Sequence, residues 1–406
     1  MKTTHSAALD GLRGLALLGV VFFHAGALPF GWLGVPVFFV LSGHFITRIL
    51  FERGTSLRAF VRNRLLRLAP LYFLACLALT ALAITGFGPA QLASDLPYLW
   101  TWTYDLRPLT PGWADNNLYD HLWSLGVEVQ LYALWALFAV TLSRRWLVRI
   151  VVALAVGGPV LRIAVWGLLS VAGYPHADLA NITYCLPSTY VDAFAIGACT
   201  ALPEIRDRLW SSRRLVGVCC GALGLVVLGQ VGLGLVRHGR FDGALGFPIA
   251  LPYQAGWVWG YSLVALASGS VVLACARGTR VFTWAPLARL GLISYGVYLV
   301  HRPIGQLCER LLPMAPPAVG LVVLGVSVLL AELSYRNLEL AFIRRKRDSL
   351  STQAHALVAT LPHRSLLSCN GVGEPTDDHD NDVIWRTVDA EVAGVPQSRA
   401  RMRNTE

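Results

Sequence analysis

Asp10, Arg13 and His24 share one apolar stretch, LDGLRGLALLGVVFFH (9–24), and they are the first residues of this chain whose types and spacing suggest chemistry. Ionisable groups in hydrocarbon cost from roughly three to more than ten kcal/mol, so they persist where they pair, line a wet cavity or react. Arg13 and His24 are eleven positions apart. At about 100° and 1.5 Å per residue they fall within roughly 20° of one helix face, about 16 Å apart along it. With Arg13 at the cytosolic boundary, that spacing places His24 near the middle of a hydrocarbon layer about 30 Å thick. A guanidinium can hold a pyrophosphate bidentately, and a neutral imidazole can take a proton from a hydroxyl near neutral pH. His24 is the candidate general base and Arg13 the candidate donor-positioning cation.

Other polar groups interrupt apolar runs in the same way. Glu128 lies with Trp123, Ser124 and Tyr132 in the run 121–142. An unpaired carboxylate there is expensive, so Arg13 or His24 is its expected partner, with Glu128 setting the imidazole tautomer. Asp10 could serve likewise. Arg64 and Arg67, three residues apart, share a helix face at the entrance to the next run and suit nucleotide phosphates. Tyr298, His301 and Glu339 are further polar groups in apolar surroundings. Ser42 has no G-x-S-x-G context, and no Walker or Rossmann glycine loop is present. The eight cysteines have no CxxC or zinc spacing, so they read as free thiols; no metal is expected.

These groups need a membrane scaffold. The 406 residues are 55% hydrophobic and 14% charged, with mean hydropathy +0.54, which excludes an average soluble or disordered protein. The net charge of +10 could suggest nucleic acid, but the arginines sit in short loops between apolar runs, where they set topology and favour anionic lipid. No nucleic-acid partner is expected. Ten spans are predicted, near 9–28, 32–50, 68–87, 121–142, 149–171, 184–202, 215–236, 255–276, 291–312 and 317–340. Basic loops follow every second span, as at Arg48 to Arg67 and Arg344 to Arg347. The positive-inside rule therefore puts both termini in the cytosol. The reading is an all-α polytopic membrane domain over 1–347 and a polar, disordered cytoplasmic tail over 348–406, with nine acidic and five basic residues. The first span lacks a cleavage pattern and is expected to be retained. The outer segment 88–120, rich in Trp and Tyr, is expected to form an interfacial or re-entrant cap whose aromatics make a membrane belt.

The opening stretch, an arginine followed by ten residues and a histidine, resembles the first helix of the acyltransferase-3 family of integral membrane acyltransferases. The resemblance continues through GVPVFFVLSG (34–43), RNRLLRLAPLY (62–72), HLWSLGVEVQLY (121–132), YVDAFAIG (190–197), ISYGVYLVHRPI (293–304) and SYRNLELAF (334–342). These blocks add Tyr72 and Asp192 as supporting residues. Pro36, Val129 and His44 depart from the family pattern. The resemblance implies transfer of an acyl group, acetyl first, from acyl-CoA (acetyl-CoA) to a hydroxyl of a glycan, sugar or macrolide-type acceptor. It further implies a bacterial plasma-membrane setting, with His24, Arg13 and Glu128 catalytic and Arg13, Arg64 and Arg67 binding the co-substrate. No large extracytoplasmic domain is expected. A multi-pass transporter or flippase is the competing reading, because Arg, His and Glu within spans also build substrate pathways.

Overall fold

A computed structural model describes residues 7–209 apart from Arg53, scattered helical positions between 217 and 236, and residues 256–339 apart from Leu312. Most of the expected span 215–236, and the whole tail 348–406, fall outside the described residues. Within them every regular element is helical. Helix α1 (Ala7–His24) leads through a turn to α2 (Gly34–Thr47), then α3 (Leu57–Thr85), α4 (Leu92–Trp100), α5 (Trp123–Thr141) and α6 (Arg144–Val171). There follow α7 (His176–Cys185), α8 (Val191–Ala201), α9 (Pro203–Leu209), α10 (Gly256–Ala276), α11 (Ala285–Leu292), α12 (Ser294–Leu311) and α13 (Pro316–Ser334).

Among the described residues, seven helical stretches are long and apolar enough to cross a membrane: Ala7–His24, Gly31–Glu52, Leu57–Thr85, Asp120–Thr141, Arg144–Val171, Val258–Ala276 and Pro316–Asn337. This is a multi-pass, all-α membrane protein. Two expected spans take another form. The run 184–202 is broken at Pro187, because the residue before a proline is pushed out of the helical region and Leu186 is extended (ψ 146°). The run 291–312 becomes α11 and α12, and α12 carries Arg302, Glu309 and Arg310. Helix α1 also stops at His24 instead of running to 28, and Gly26 at φ +70° turns the chain back toward α2.

Glycine determines how closely the helices carrying polar groups approach. A Cβ at Gly11 or Gly14 of α1 would overlap carbonyl oxygens of Phe282 and Leu287, and one at Gly291 of α11 would overlap that of Asp10. Helices α2 and α8 meet by the same device, Gly43 against Phe194 and Gly197 against Val40. Small residues let backbones touch where apolar side chains gain little over lipid.

The segment between α3 and α5 is a packed cap. Asp95 of α4 is fully buried and pairs with Arg107 Nε at 2.6 Å, while the Tyr119 hydroxyl donates to its other oxygen at 2.9 Å. Arg107 is therefore an internal strut of this segment. Trp102 packs on Tyr72 and Phe73, and Tyr104 and Tyr119 are buried, so these rings are a core and not the expected interfacial belt. Asp105 is buried too, accepting from Gln130 at 2.8 Å, and burial lifts its carboxyl from 3.8 to about 7.

Candidate functional site

The polar groups converge on two cavities. The first, of about 690 Å³, is lined by Arg13 of α1, Ser42 of α2, Arg64 and Arg67 of α3, Ser124, Glu128 and Tyr132 of α5, and Tyr298 of α12. Ser42 donates to Glu128 Oε1 at 2.6 Å, and the Tyr132 hydroxyl donates to the same oxygen. The Arg64 guanidinium lies over the Tyr132 ring, 5.5 Å from its centroid, and that of Arg13 over Phe45 at 5.2 Å. Arg13 and Arg64 both interact electrostatically with Glu128, and Arg13 with Asp10 one turn earlier. Three guanidiniums thus face one carboxylate around an open volume, an arrangement suited to an anion with several oxygens.

The second cavity, of about 1220 Å³, lies beneath the cap. His24, His121, Trp123, Trp113, Asp115, Asp120 and Arg302 are among its walls. It shares no wall residue with the first cavity. Burial raises the Asp115 carboxyl, and Arg302 opposes that.

A single hydrogen-bonded layer separates the two. The Tyr298 hydroxyl lies 2.6 Å from Ser124 Oγ, and both sit 3.0 Å from the carbonyl of His121. One turn along α12, His301 Nδ1 is 2.6 Å from the Tyr298 carbonyl, and its Nε2 is 2.9 Å from His24 Nδ1. A carbonyl can only accept, so His301 carries its hydrogen on Nδ1 and offers a lone pair from Nε2. For neutral rings His24 must then donate from Nδ1, which leaves Nε2 as its basic nitrogen.

Several expectations are corrected. Glu128 was expected against Arg13 or His24; it interacts electrostatically with Arg13 while its hydrogen bonds come from Ser42 and Tyr132, and His301, not Glu128, orients His24. His24 is the last residue of α1, where the expected span 9–28 ends early, and opens into the cavity beneath the cap. Tyr72 lines neither cavity; its hydroxyl donates to the Leu99 carbonyl at 2.7 Å and ties α3 to the cap. Asp192 lies away from both, fully buried with Arg162 at 3.0 Å, where Thr189, Val258 and Ser262 complete the guanidinium's bonds. Glu339 closes the π-helical turn Tyr335–Glu339, and its side chain is outside the described residues.

A sequence model of the acyltransferase-3 family, described as an acyltransferase domain, matches residues 6–336. The chain belongs to this family. Curated relatives of this acyltransferase-3 chain include the peptidoglycan O-acetyltransferase OatA of Listeria monocytogenes, 26% identical over 82% of this chain and 55% of the relative. The putative peptidoglycan O-acetyltransferase YrhL of Bacillus subtilis is 29% identical over 83% and 55%. The putative membrane-bound transacylase BcsY of Komagataeibacter xylinus is 32% identical over 73% of this chain and 72% of its own. The chain thus spans about half the length of the first two relatives. No solved structure matches it.

The sequence reading missed His121, Arg162, Asp115 and Arg302. Arg162 had a signal, being the one charge inside the run 149–171 after Arg149 at its start, and the rule that singled out Arg13 applies to it equally. Arg302, in the middle of the run 291–312, had the same signal; His121 opens the run 121–142 and had none beyond residue type.

Proposed function

We propose that this acyltransferase-3 chain is a membrane O-acyltransferase that moves an acyl group, acetyl first, from acyl-CoA to a hydroxyl of a glycan, sugar or macrolide-type acceptor. The observation that carries the reading is the division of labour along α1: Arg13 opens into an arginine-rich cavity and His24 into a separate one lined by aromatic and hydroxyl-binding groups. Arg13, Arg64 and Arg67 hold the phosphates of the donor, and Glu128, fixed by Ser42 and Tyr132, keeps two of those guanidiniums at the cavity wall. The acceptor occupies the other cavity, its hydroxyl at His24 Nε2. His24 takes the hydroxyl proton as the oxygen attacks the thioester carbonyl. The tetrahedral intermediate expels the CoA thiolate, and the proton on His24 returns to that sulfur, giving ester and free CoA thiol.

The experiment is to measure free thiol released from acetyl-CoA by the purified protein with and without candidate acceptors. Acceptor-dependent release that is lost in well-folded His24→Gln supports the reading. Acceptor uptake into vesicles without thiol release would establish a carrier instead.

A further inference from the structure

We propose that His121 reads a second hydroxyl of the acceptor, so that the substrate carries two neighbouring hydroxyls, one seated at His24 and acylated, the other held by His121. The inference rests on the acyltransferase reading above and adds a specificity-determining residue to it.

His121 stands just before α5 and lines the cavity beneath the cap together with His24. Its backbone is held in place, because its carbonyl lies 3.0 Å from both Ser124 Oγ and the Tyr298 hydroxyl. Its ring is equally fixed. The residue is 3% exposed, and the imidazole packs edge-on against Tyr298 and His301, with centroids 5.3 and 4.9 Å away. Nε2 faces the Leu299 carbonyl at 3.3 Å. A carbonyl only accepts, so Nε2 carries the hydrogen and Nδ1 keeps its lone pair. That Nδ1 is buried and has no hydrogen-bond partner among the described residues. A buried acceptor left unpaired is costly, and a ligand that brings a donor removes the cost.

His24 supplies the other half of the argument. The tautomer set by His301 leaves Nε2 of His24 as an acceptor too. His301 packs against both rings, its centroid 5.0 Å from that of His24 and 4.9 Å from that of His121. Two imidazole lone pairs that flank one residue therefore belong to one cavity wall, and both call for donors. The reacting hydroxyl answers His24. An acceptor with an isolated hydroxyl leaves His121 unpaired, whereas a ring-borne diol presents its second O–H close to the first and at a fixed angle to it.

The test compares acceptors that differ by one hydroxyl. Thiol release from acetyl-CoA by the purified full chain would be measured with the methyl glycosides of glucose, mannose and galactose. Each would be run beside those monodeoxy analogues that keep the acylated hydroxyl, located in the product by NMR. Deleting the hydroxyl next to the acylated one should lower kcat/KM by about 10- to 100-fold, the cost of leaving a buried acceptor unpaired. His121→Phe should bring the intact and deoxy glycosides to similar kcat/KM, an effect that a purely structural role, which slows all acceptors alike, does not produce. His121→Asn, whose amide oxygen can accept near the place of Nδ1, should keep part of the discrimination. If His121→Phe does not insert, the wild-type comparison and His121→Asn carry the test. Equal kcat/KM for intact and deoxy glycosides in wild type, or discrimination that persists unchanged in well-folded His121→Phe, would overturn the inference and leave the acyltransferase reading standing. Thiol release with none of the glycosides would overturn it together with the sugar-acceptor reading.

Discussion

His24 and His301 share one hydrogen bond, Nδ1 to Nε2 at 2.9 Å, and the carbonyl of Tyr298 decides which ring donates. His301 thereby does for His24 what a carboxylate does in a serine-protease triad, without adding charge to a dry site. Replacing it with Phe removes the acceptor and frees the His24 ring to adopt the other tautomer. Turnover should fall by roughly 10- to 100-fold, the usual size of an orienting effect, with acetyl-CoA affinity unchanged. The pH profile of the variant should shift relative to wild type. A drop in affinity with constant turnover would assign His301 to donor binding instead.

His24→Gln should lose roughly 10²- to 10⁴-fold in turnover, the range of general-base contributions. Arg13→Ala should instead raise the KM for acetyl-CoA. Both are read from thiol release in detergent at matched monodispersity, and near wild-type turnover in well-folded His24→Gln would end the assignment of His24 as base.

Arg162 and Asp192 form a fully buried pair joining α6 to α8, with Ser262 of α10 alongside. Arg162→Met leaves Asp192 as an uncompensated buried charge and should cost about 3 to 5 kcal/mol. Removing both charges, Arg162→Met with Asp192→Leu, should recover much of that. Thermal unfolding of the single and double variants in one detergent measures the difference, and equal losses in the two would show that packing matters there more than charge.

Asp105 supplies a pH dependence. Burial raises its carboxyl from 3.8 to about 7, so the folded cap holds a proton that the unfolded chain has released. Its contribution is fully present below pH ~4 and is lost as pH rises through ~7. Amide exchange across 92–109 should quicken over that window in wild type, and Asp105→Asn should flatten the response. A cap that tightens with rising pH would contradict the assignment.

Topology can be read by labelling with an impermeant thiol reagent. The arginine pattern predicts that Ala114→Cys, exposed on the cap, is labelled in intact cells and Arg58→Cys is not. The fully buried Asp105 is unsuitable as a reporter, although its place in a polar loop recommends it from sequence. The five described native cysteines are buried, which limits background.

The convergence of groups on the first cavity was legible in the sequence because Arg13, Ser42, Glu128 and Tyr132 each interrupt an apolar run and Arg64 and Arg67 share a face at the entrance to another, and the cost of burying polarity acts wherever the helices cross. Their pairings were not legible. Whether Glu128 meets Arg13 or Ser42 depends on crossing angles set by glycines such as Gly43 and Gly197, and residue spacing within one helix contains no information about its neighbour. The cap was misread for a related reason: Arg107 and Asp95 are twelve positions apart in a segment without periodicity, so nothing local announced a buried ion pair.

The glycine contacts of α1 have a mechanical meaning. With Gly11 and Gly14 set against the backbone around α11, and Gly291 against Asp10, α1 has no room to slide, and the rise between Arg13 and His24 stays at about 16 Å. The helix then acts as a fixed ruler. For a donor anchored at one end and an acceptor at the other, the reach of the donor's flexible arm decides whether the two meet, so a shortened or lengthened arm should be rejected by geometry alone, whatever its affinity.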